Sequence, residues 1–444
     1  MTFTGAEIAA ATAGNLLADG PHGPILTDTR RLHAGAWFLA LRGDRFDGHD
    51  FLAHADAAGC AGVIVDTAPD NWTRGLVQVP DTLRALQDCA SAVRADLNVP
   101  VVGITGSAGK TTTRAMVAEV LAGRGRVHQT QGNLNNHIGL PLTLLELPPD
   151  ADVVVVELGM SAPGEIAVLQ DISRPTHRLI TNVSAAHLEG TGSLAGVAAC
   201  KQELFDGALP GDTLLINDDD PFVREMPVPE GVRVVRYGSE PGVDVRLIHA
   251  QLDLANLHTL VQLEVRGEAL TARIRSPGRH LALDAAAAAA VGWSLGINNE
   301  AIRDGLGRYA PVGMRMRVEQ RGGLTVLNDA YNANPASMRA ALETLAAIEG
   351  RRRVALLGDM LELGAGEHEA HRETVALAAE LGLERVALTG PRLGLHAALL
   401  PGALVASDSR ELAQLLREEL CDGDVVLIKG SRGMRMERSL EGRS

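Results

Sequence analysis

VVGITGSAGKTTT, residues 101–113, is the stretch whose reading decides the fold. A β-branched apolar run ends in a glycine-rich turn that passes directly into Lys110, Thr111, Thr112 and Thr113, then into the helix-like RAMVAEVL of 114–121. Strand, glycine turn and helix in that order form a phosphate-binding loop. Glycines let backbone N–H groups converge on anionic oxygens, the helix offers its positive end, Lys110 adds a point charge and the Thr111 hydroxyl can ligate Mg²⁺. The spacing departs from the usual Gly-x-x-x-x-Gly-Lys-Ser/Thr pattern, because Ile104 occupies the place of the first glycine while glycines stand at 103 and 106. The loop specifies a nucleoside triphosphate and leaves the reaction open among kinase, switch GTPase, motor ATPase and ligase. No Asn/Thr-Lys-x-Asp base-reading string accompanies it, which weighs against a GTPase.

Upstream, AWFLAL at 36–41 and AGVIVD at 61–66 read as strands, and DGHDFLAHADAAG at 47–59 as a helix entered at Asp47 or Asp50. DTLRALQDCASAVRADL at 81–97 closes this small α/β unit, and Asn98-Val99-Pro100 is the joint to the next, since proline discourages a continuing helix. Asp28, Thr29 and Arg30 form one polar cluster, and the loop from Arg42 to His49 forms another. Their arginines and hydrogen-bonding groups suit an acidic phosphorylated ligand such as a nucleotide-sugar; on chemistry alone an ordinary solvated loop is the plainer reading.

Downstream, ADVVVVELGM at 151–160 is a near-continuous apolar strand, as expected for a parallel strand covered on both faces. It ends at Glu157, where a carboxylate is placed to hold Mg²⁺ directly or through water, the alternative being a capping or structural carboxylate. RLITNV reads as the next strand, followed by a loop with His187 and Glu189. SLAGVAACKQEL at 193–204 reads as a helix carrying Lys201 in a largely apolar turn. A helical lysine usually reaches out to water; turned inward toward a metal it needs a depressed pKa or chemical neutralisation. Residues 243–276 alternate like antiparallel strands, and an alanine-rich helix spans 282–295. From Pro311 four strand-loop-helix units follow, with polar loops at Asn328 to Pro335, Asp359 to Glu362 and Lys429 to Arg432. The fold class expected is α/β in three domains: a small N-terminal α/β domain over 1–99, a central parallel-sheet mononucleotide-binding domain over 100–310, and a Rossmann-like C-terminal domain over 311–444.

A length of 444 residues exceeds one ordinary core. A formal net charge of −14 argues against a general nucleic-acid or anionic-membrane binder while permitting a local basic pocket. Cysteines at 60, 89, 200 and 421 fit neither a zinc spacing nor a CxxC motif and read as reduced. The first residues lack a basic n-region, and no apolar run is long enough to span a bilayer, so a cytoplasmic, monomeric enzyme is expected, without nucleic acid or membrane insertion.

The chain resembles the Mur ligases of peptidoglycan precursor synthesis over essentially its full length. The resemblance rests on eight collinear strings: TDTRRLHAGAWFLALRGDRFDGHDFL, GITGSAGKTTT, QGNLNNHIGLPLTLL, VVVELGMSAPGEI, TNVSAAHLEGTGSLAGVAACKQELF, LNDAYNANPASMRAALETL, GDMLELG and LIKGSRGMRME. YNANP, GDMLELG and NLNNHIGLPLTLL point to the branch that adds D-alanyl-D-alanine to a UDP-N-acetylmuramoyl-tripeptide with consumption of ATP. The resemblance implies that Gly106, Ser107, Ala108, Gly109, Lys110, Thr111 and Thr112, with Asn135, Asn136, His280, Arg315, Tyr331, Asn332 and Asn334, hold ATP. It implies that Thr111, Glu157, His187 and an N-carbamylated Lys201 hold Mg²⁺, as two ions, and that Lys110, His187, Lys201 and Asp329 serve catalysis. Asp28, Thr29, Arg30, Arg45, Phe46, Asp47, Gly48 and His49 correspond to the part that holds the UDP-muramoyl group. Asp359, Lys429, Ser431 and Arg432 correspond to the acceptor side.

Departures accompany the match. Asp28-Thr29-Arg30 stands where the family usually has Asp-Ser-Arg, which keeps the hydroxyl. Asp284 stands where an asparagine faces adenine, and an ionised aspartate only accepts hydrogen bonds. Asn328-Asp329 replaces a frequent Asp-Asp, so an acid or base role there rests on Asp329 alone. The competing readings are a Mur-type ligase adding a single amino acid and a regulatory phosphate-loop NTPase without ligase chemistry.

Overall fold

In a computed structural model, which describes residues 1–43, 46–185 and 188–442, the chain builds three sheets. The first contains β1 (Asn15–Ala18), β2 (Ile25–Leu26), β3 (Trp37–Leu39), β4 (Gly62–Val65) and β5 (Gly75–Gln78), in the order β1-β5-β4-β3-β2. Strands β2 to β5 pair in parallel and β1 closes the edge antiparallel to β5. The helix Thr82–Ala95 follows, with the Asp81 carboxylate accepting from the Arg84 N–H at its start.

The second sheet contains β6 (Val101–Thr105), β7 (Val127–Gln129), β8 (Val153–Glu157), β9 (His177–Ile180), β10 (Thr213–Asn217), β11 (Arg233–Gly238), β12 (Val245–Asp253), β13 (His258–Val265) and β14 (Glu268–Ile274). Its order is β14-β13-β12-β11-β10-β9-β6-β8-β7. Strands β6 and β8 are buried at every residue, which is why VVGIT and VVVVE carry no polar alternation. The alternating stretch 243–276 becomes β12 to β14, an antiparallel extension of this sheet. The alanine-rich helix Leu281–Ser294 buries Ala285 to Ala290, and these small side chains let it pack against the helix Lys110–Leu121.

The third sheet contains β15 (Arg317–Arg321), β16 (Leu324–Asp329), β17 (Arg353–Gly358), β18 (Arg385–Thr389), β19 (Leu404–Ala406) and β20 (Val425–Lys429), in the order β15-β16-β20-β17-β18-β19. Only β15 is antiparallel. Helices Pro335–Ala346 and Glu367–Glu380 cover one face, while Ser409–Leu415 and the turn Met436–Leu440 cover the other. The edge strands β15 and β19 were not apparent in the sequence. All four cysteines are free, and no described helix is long and apolar enough to cross a membrane.

By compactness the chain divides into two bodies. One comprises Met1–Gly103, Gly125–Met160 and Gly164–His177; the other comprises Ile104–Arg124, Ser161–Pro163 and Arg178–Ser444.

Candidate active site

In the second body, the phosphate loop leaves β6 through Gly106 at φ +152° and Gly109 at φ +80°. A Cβ on Gly109 would stand 2.6 Å from Asp284 Oδ1, so that point has space and backbone freedom only for glycine. The helix Lys110–Leu121 begins without a side-chain cap, and its first-turn N–H groups have no intrahelical acceptors, which makes its start an anion site. Lys110 Nζ donates to the Gly106 carbonyl at 2.7 Å, folding the cation over the loop.

Residues 181–184, just past β9, brace this loop from behind. Ser107 N–H donates to the Asn182 carbonyl at 3.0 Å, Ala108 N–H to Asn182 Oδ1 at 3.0 Å, and Thr181 Oγ1 to the Ala108 carbonyl at 2.6 Å. Ser107 Oγ donates to the Ser184 carbonyl and accepts from its N–H. Asn217 Nδ2 in turn donates to the Thr181 carbonyl, and the Asp220 carboxylate accepts from Val183 N–H while capping the short helix Pro221–Arg224. The acidic turn at 218–220 is thus a scaffold for the loop. Sequence reading missed Thr181, Asn182, Asn217 and Asp220, although small polar residues directly after apolar strands were the available signal.

Lys201 lies on the helix Leu194–Asp206 with 1% of its surface exposed, so the snorkelling alternative is not what the fold adopts. Among the described residues no carboxylate pairs with it. Burial, and then the charge of Lys110, push its pKa down to about 7. Arg178, itself buried, fixes the helix by donating to the Leu204 carbonyl at 2.9 Å and pairing with Asp212 at 3.1 Å. Asp284, half-buried, accepts from Thr113 Oγ1 at 2.9 Å, and burial lifts its pKa to about 7.

The same body carries the groups at the carboxyl ends of the third sheet. Arg315 stacks 3.6 Å above the Tyr331 ring. Met316 adopts a left-handed backbone at φ 52° and donates its N–H to Asp329 Oδ1 at 3.0 Å. The other oxygen of Asp329 pairs at 2.5 Å with Lys429 Nζ, which also donates to the Asn332 carbonyl at 3.1 Å. His280 keeps more than a third of its surface accessible; desolvation by the surrounding protein lowers its pKa, Asp329 opposes this and Lys429 adds to it.

Several residues read as ligand contacts turn out to be engaged in the scaffold. Asn334 caps the helix Pro335–Ala346 in a reciprocal box with Ser337. Asp359 is fully buried, with its two oxygens accepting from the N–H groups of Arg392 and Leu393. Lys429 is 2% exposed and Ser431 3%, the latter accepting from Leu361 N–H. His371, which the sequence did not single out, accepts at Nε2 from Met360 N–H, which puts its ring proton on Nδ1 facing the Glu367 carbonyl.

In the first body, Glu157 is 3% exposed and its Oε1 accepts from Asn135 Nδ2 at 2.8 Å. Asn136 Oδ1 accepts from the Ile138 and Gly139 N–H groups at the start of the helix Gly139–Leu145. Asp28 caps the turn Thr29–Arg31 and forms a forked pair with Arg30, whose hydrogen bonds hold its carboxyl down at about 2. His49 sits between Asp47, 2.6 Å from Nδ1, and Asp66, and Arg42 bonds both carboxylates. Asp66 was not anticipated. Phe46 is 62% exposed. Arg45 and His187 lie outside the described residues.

Three family models match the chain: "Mur ligase family, catalytic domain" over residues 24–122, "Mur ligase middle domain" over 104–292, and "Mur ligase, glutamate ligase domain" over 314–432. The UDP-N-acetylmuramoyl-tripeptide--D-alanyl-D-alanine ligase of Bacillus subtilis is 37% identical over 429 residues, covering 94% of this chain and 92% of that protein. A crystal structure of MurF from Acinetobacter baumannii superposes with a TM-score of 0.91 at 30% identity, covering 99% of this chain and 98% of that one. MurF from Thermotoga maritima, solved in complex with ADP, gives 0.85 at 29% identity over 94% and 96% of the two chains.

Proposed function

The chain belongs to the Mur ligase family, and from that membership we propose that it joins D-alanyl-D-alanine to the terminal carboxylate of a UDP-N-acetylmuramoyl-tripeptide at the expense of ATP. The observation that carries the chemistry is the phosphate loop Gly106–Thr113 in one compact body with a buried lysine, Lys201, that no described carboxylate neutralises. Residues 1–99 serve the UDP-muramoyl group, 100–310 the nucleotide, and 311–444 the acceptor.

The tripeptide carboxylate attacks the γ-phosphorus of ATP, ADP departs, and an acyl phosphate results. The uncharged amine of D-alanyl-D-alanine then attacks the acyl carbon, and inorganic phosphate leaves as the amide forms. Lys110 and the N–H groups of the loop hold the nucleotide's phosphates, which the brace of Thr181 to Ser184 keeps preorganised. Arg315, steadied by the Tyr331 ring, adds positive charge from the third sheet, and Asn332 lies on the loop that Lys429 anchors.

Mg²⁺ bound at such a site neutralises charge on the transferring phosphoryl group. Among the described residues no three histidine, cysteine, aspartate or glutamate side chains converge; by the family resemblance, the Thr111 hydroxyl, Glu157, His187 and a carbamylated Lys201 would hold Mg²⁺ together with phosphate oxygens. An ammonium at Lys201 would repel the metal. With a pKa near 7 a large share of the amine is neutral at cellular pH, and its nitrogen can attack CO₂ to give an anionic carbamate with release of one proton.

ADP release tests the reading. With UDP-N-acetylmuramoyl-tripeptide present, release should require D-alanyl-D-alanine and fail with single amino acids. Release with one free amino acid in its place assigns a different amide-forming specificity, and release independent of any acceptor points to a regulatory NTPase.

A further inference from the structure

Two non-glycine residues with left-handed backbones share one apolar cluster. Leu257, at φ 53°, ends the turn between β12 and β13, and Met316, at φ 52°, directly precedes β15. Such a conformation is costly for a residue with a Cβ and persists only where its surroundings impose it. Both side chains are buried, and both belong to the cluster that includes Leu327, Met338, Leu342 and Leu357 of the third sheet and its covering helix. The tip of a hairpin from the second sheet is thus built into the core of the third.

Met316 is held from both sheets. Its N–H donates to Oδ1 of Asp329, in β16, at 3.0 Å, and its carbonyl accepts from Oγ of Ser276, in the segment after β14, at 2.9 Å. Ser276 is fully buried, so its hydroxyl depends on a protein partner, and the one it takes lies across the boundary between the sheets. Thr259, in β13, fixes the Ser276 segment in turn: its Oγ1 donates to the Ser276 carbonyl at 2.8 Å and accepts from Gly278 N–H at 3.0 Å. A strained residue whose N–H and carbonyl are claimed by side chains from two different sheets has little freedom to rotate. The peptide that Asp329 holds joins Met316 to Arg315, so the same contacts set the direction in which Arg315 leaves the backbone.

We propose that Ser276 is a positioning residue for the ligase reaction: its hydroxyl, together with the Leu257 side chain, clasps Met316 and so keeps the Arg315 guanidinium set for the phosphates of the nucleotide. This rests on the ligase reading above, in which Arg315 supplies positive charge. Met316 itself carries no reacting group and its side chain is buried. The chemistry beside it is the guanidinium, stacked 3.6 Å above the Tyr331 ring. Stacking fixes the far end of that side chain, and the clasp fixes its backbone end. A long, flexible arginine delivers charge to a set point only when both ends are held. Ser276 acts through Arg315 and touches no reacting atom.

The test measures initial rates against ATP and against D-alanyl-D-alanine, the other substrates saturating, in the wild type, Ser276→Ala, Arg315→Ala and the double variant. Ser276→Ala should lower kcat/KM for ATP about three- to tenfold, the range for one neutral hydrogen bond, with the KM for D-alanyl-D-alanine unchanged. In the Arg315→Ala background the same substitution should cost less than about twofold, because the group it positions is gone. An unchanged kcat/KM for ATP in Ser276→Ala, an equal loss in both backgrounds, or a fully active Arg315→Ala overturns the proposal. So does a raised KM for D-alanyl-D-alanine in Ser276→Ala, which marks a general loosening of the third sheet. Should Ser276→Ala fail to fold, Leu257→Ala, alone and with Arg315→Ala, decides by the same criteria. A wild type without acceptor-dependent ADP release fails differently, since it removes the ligase reading itself.

Discussion

Lys201 shows how burial can disfavour the charged form of an ordinary side chain. A lysine with 1% exposure, no described carboxylate partner and Lys110 nearby is destabilised as an ammonium, and the proposed carbamylation would relieve it. Lys201→Ala should lower kcat about a hundredfold or more, as for loss of a preorganised electrostatic group, with partial recovery on adding small carboxylic acids. Full activity in the mutant would remove the carbamate role. Asp284 gives a second prediction, on stability. Its pKa rises from 3.8 in an unfolded chain to about 7 in the fold, so between those values the folded state keeps a proton that the unfolded state has released. Stability therefore falls as pH rises through that window, and the penalty is complete above about pH 7. Asp284→Asn still accepts from Thr113 and has no charge to bury, so its melting temperature should exceed the wild type's at about pH 8 and match it at about pH 4. An equal gain at both would exclude the titration. At this scale the sequence was half legible. It marked Lys201 and Asp284 as anomalies, but neither residue type reveals burial, and burial sets the chemistry of both.

Among the elements, the long buried strands were legible because a two-sided parallel strand needs an unbroken apolar run, as in β6 and β8. Edge strands β15 and β19 were not, because half-exposed residues erase that signal. The same limit applies to Asn136, Asn334 and Asp359. Each was read as a ligand contact, and each also satisfies orphan N–H groups at a helix start, a task that uses the same small polar side chains. Lys429 and Asp329 form a pair that ties β20 to β16 and, through Met316, to the segment carrying Arg315. Lys429→Met strands the Asp329 carboxylate and should cost about 3 kcal/mol, measured by denaturant unfolding. Adding Asp329→Asn should recover part of that loss. If the double mutant is less stable than Lys429→Met by the full cost of a second independent site, the two residues do not act as a pair.

For the whole molecule, the net charge of −14 coexists with cations held at strand ends and helix starts, where ATP, a nucleotide-sugar peptide and a dipeptide all bring negative charge. The three-domain α/β architecture was legible from the alternation of strand and helix signals. The chemistry was legible only through motifs scattered over the chain, because the phosphate loop, Lys201 and Arg315 belong to one compact body though they lie far apart in the sequence. The central claim is that this chain activates the tripeptide carboxylate as an acyl phosphate for attack by D-alanyl-D-alanine. Incubation of UDP-N-acetylmuramoyl-tripeptide carrying ¹⁸O in its terminal carboxylate with ATP, Mg²⁺ and D-alanyl-D-alanine tests it directly by mass spectrometry. The account predicts the UDP-muramoyl pentapeptide together with inorganic phosphate bearing one ¹⁸O from the carboxylate; unlabelled phosphate, or label retained wholly in the peptide, would contradict it.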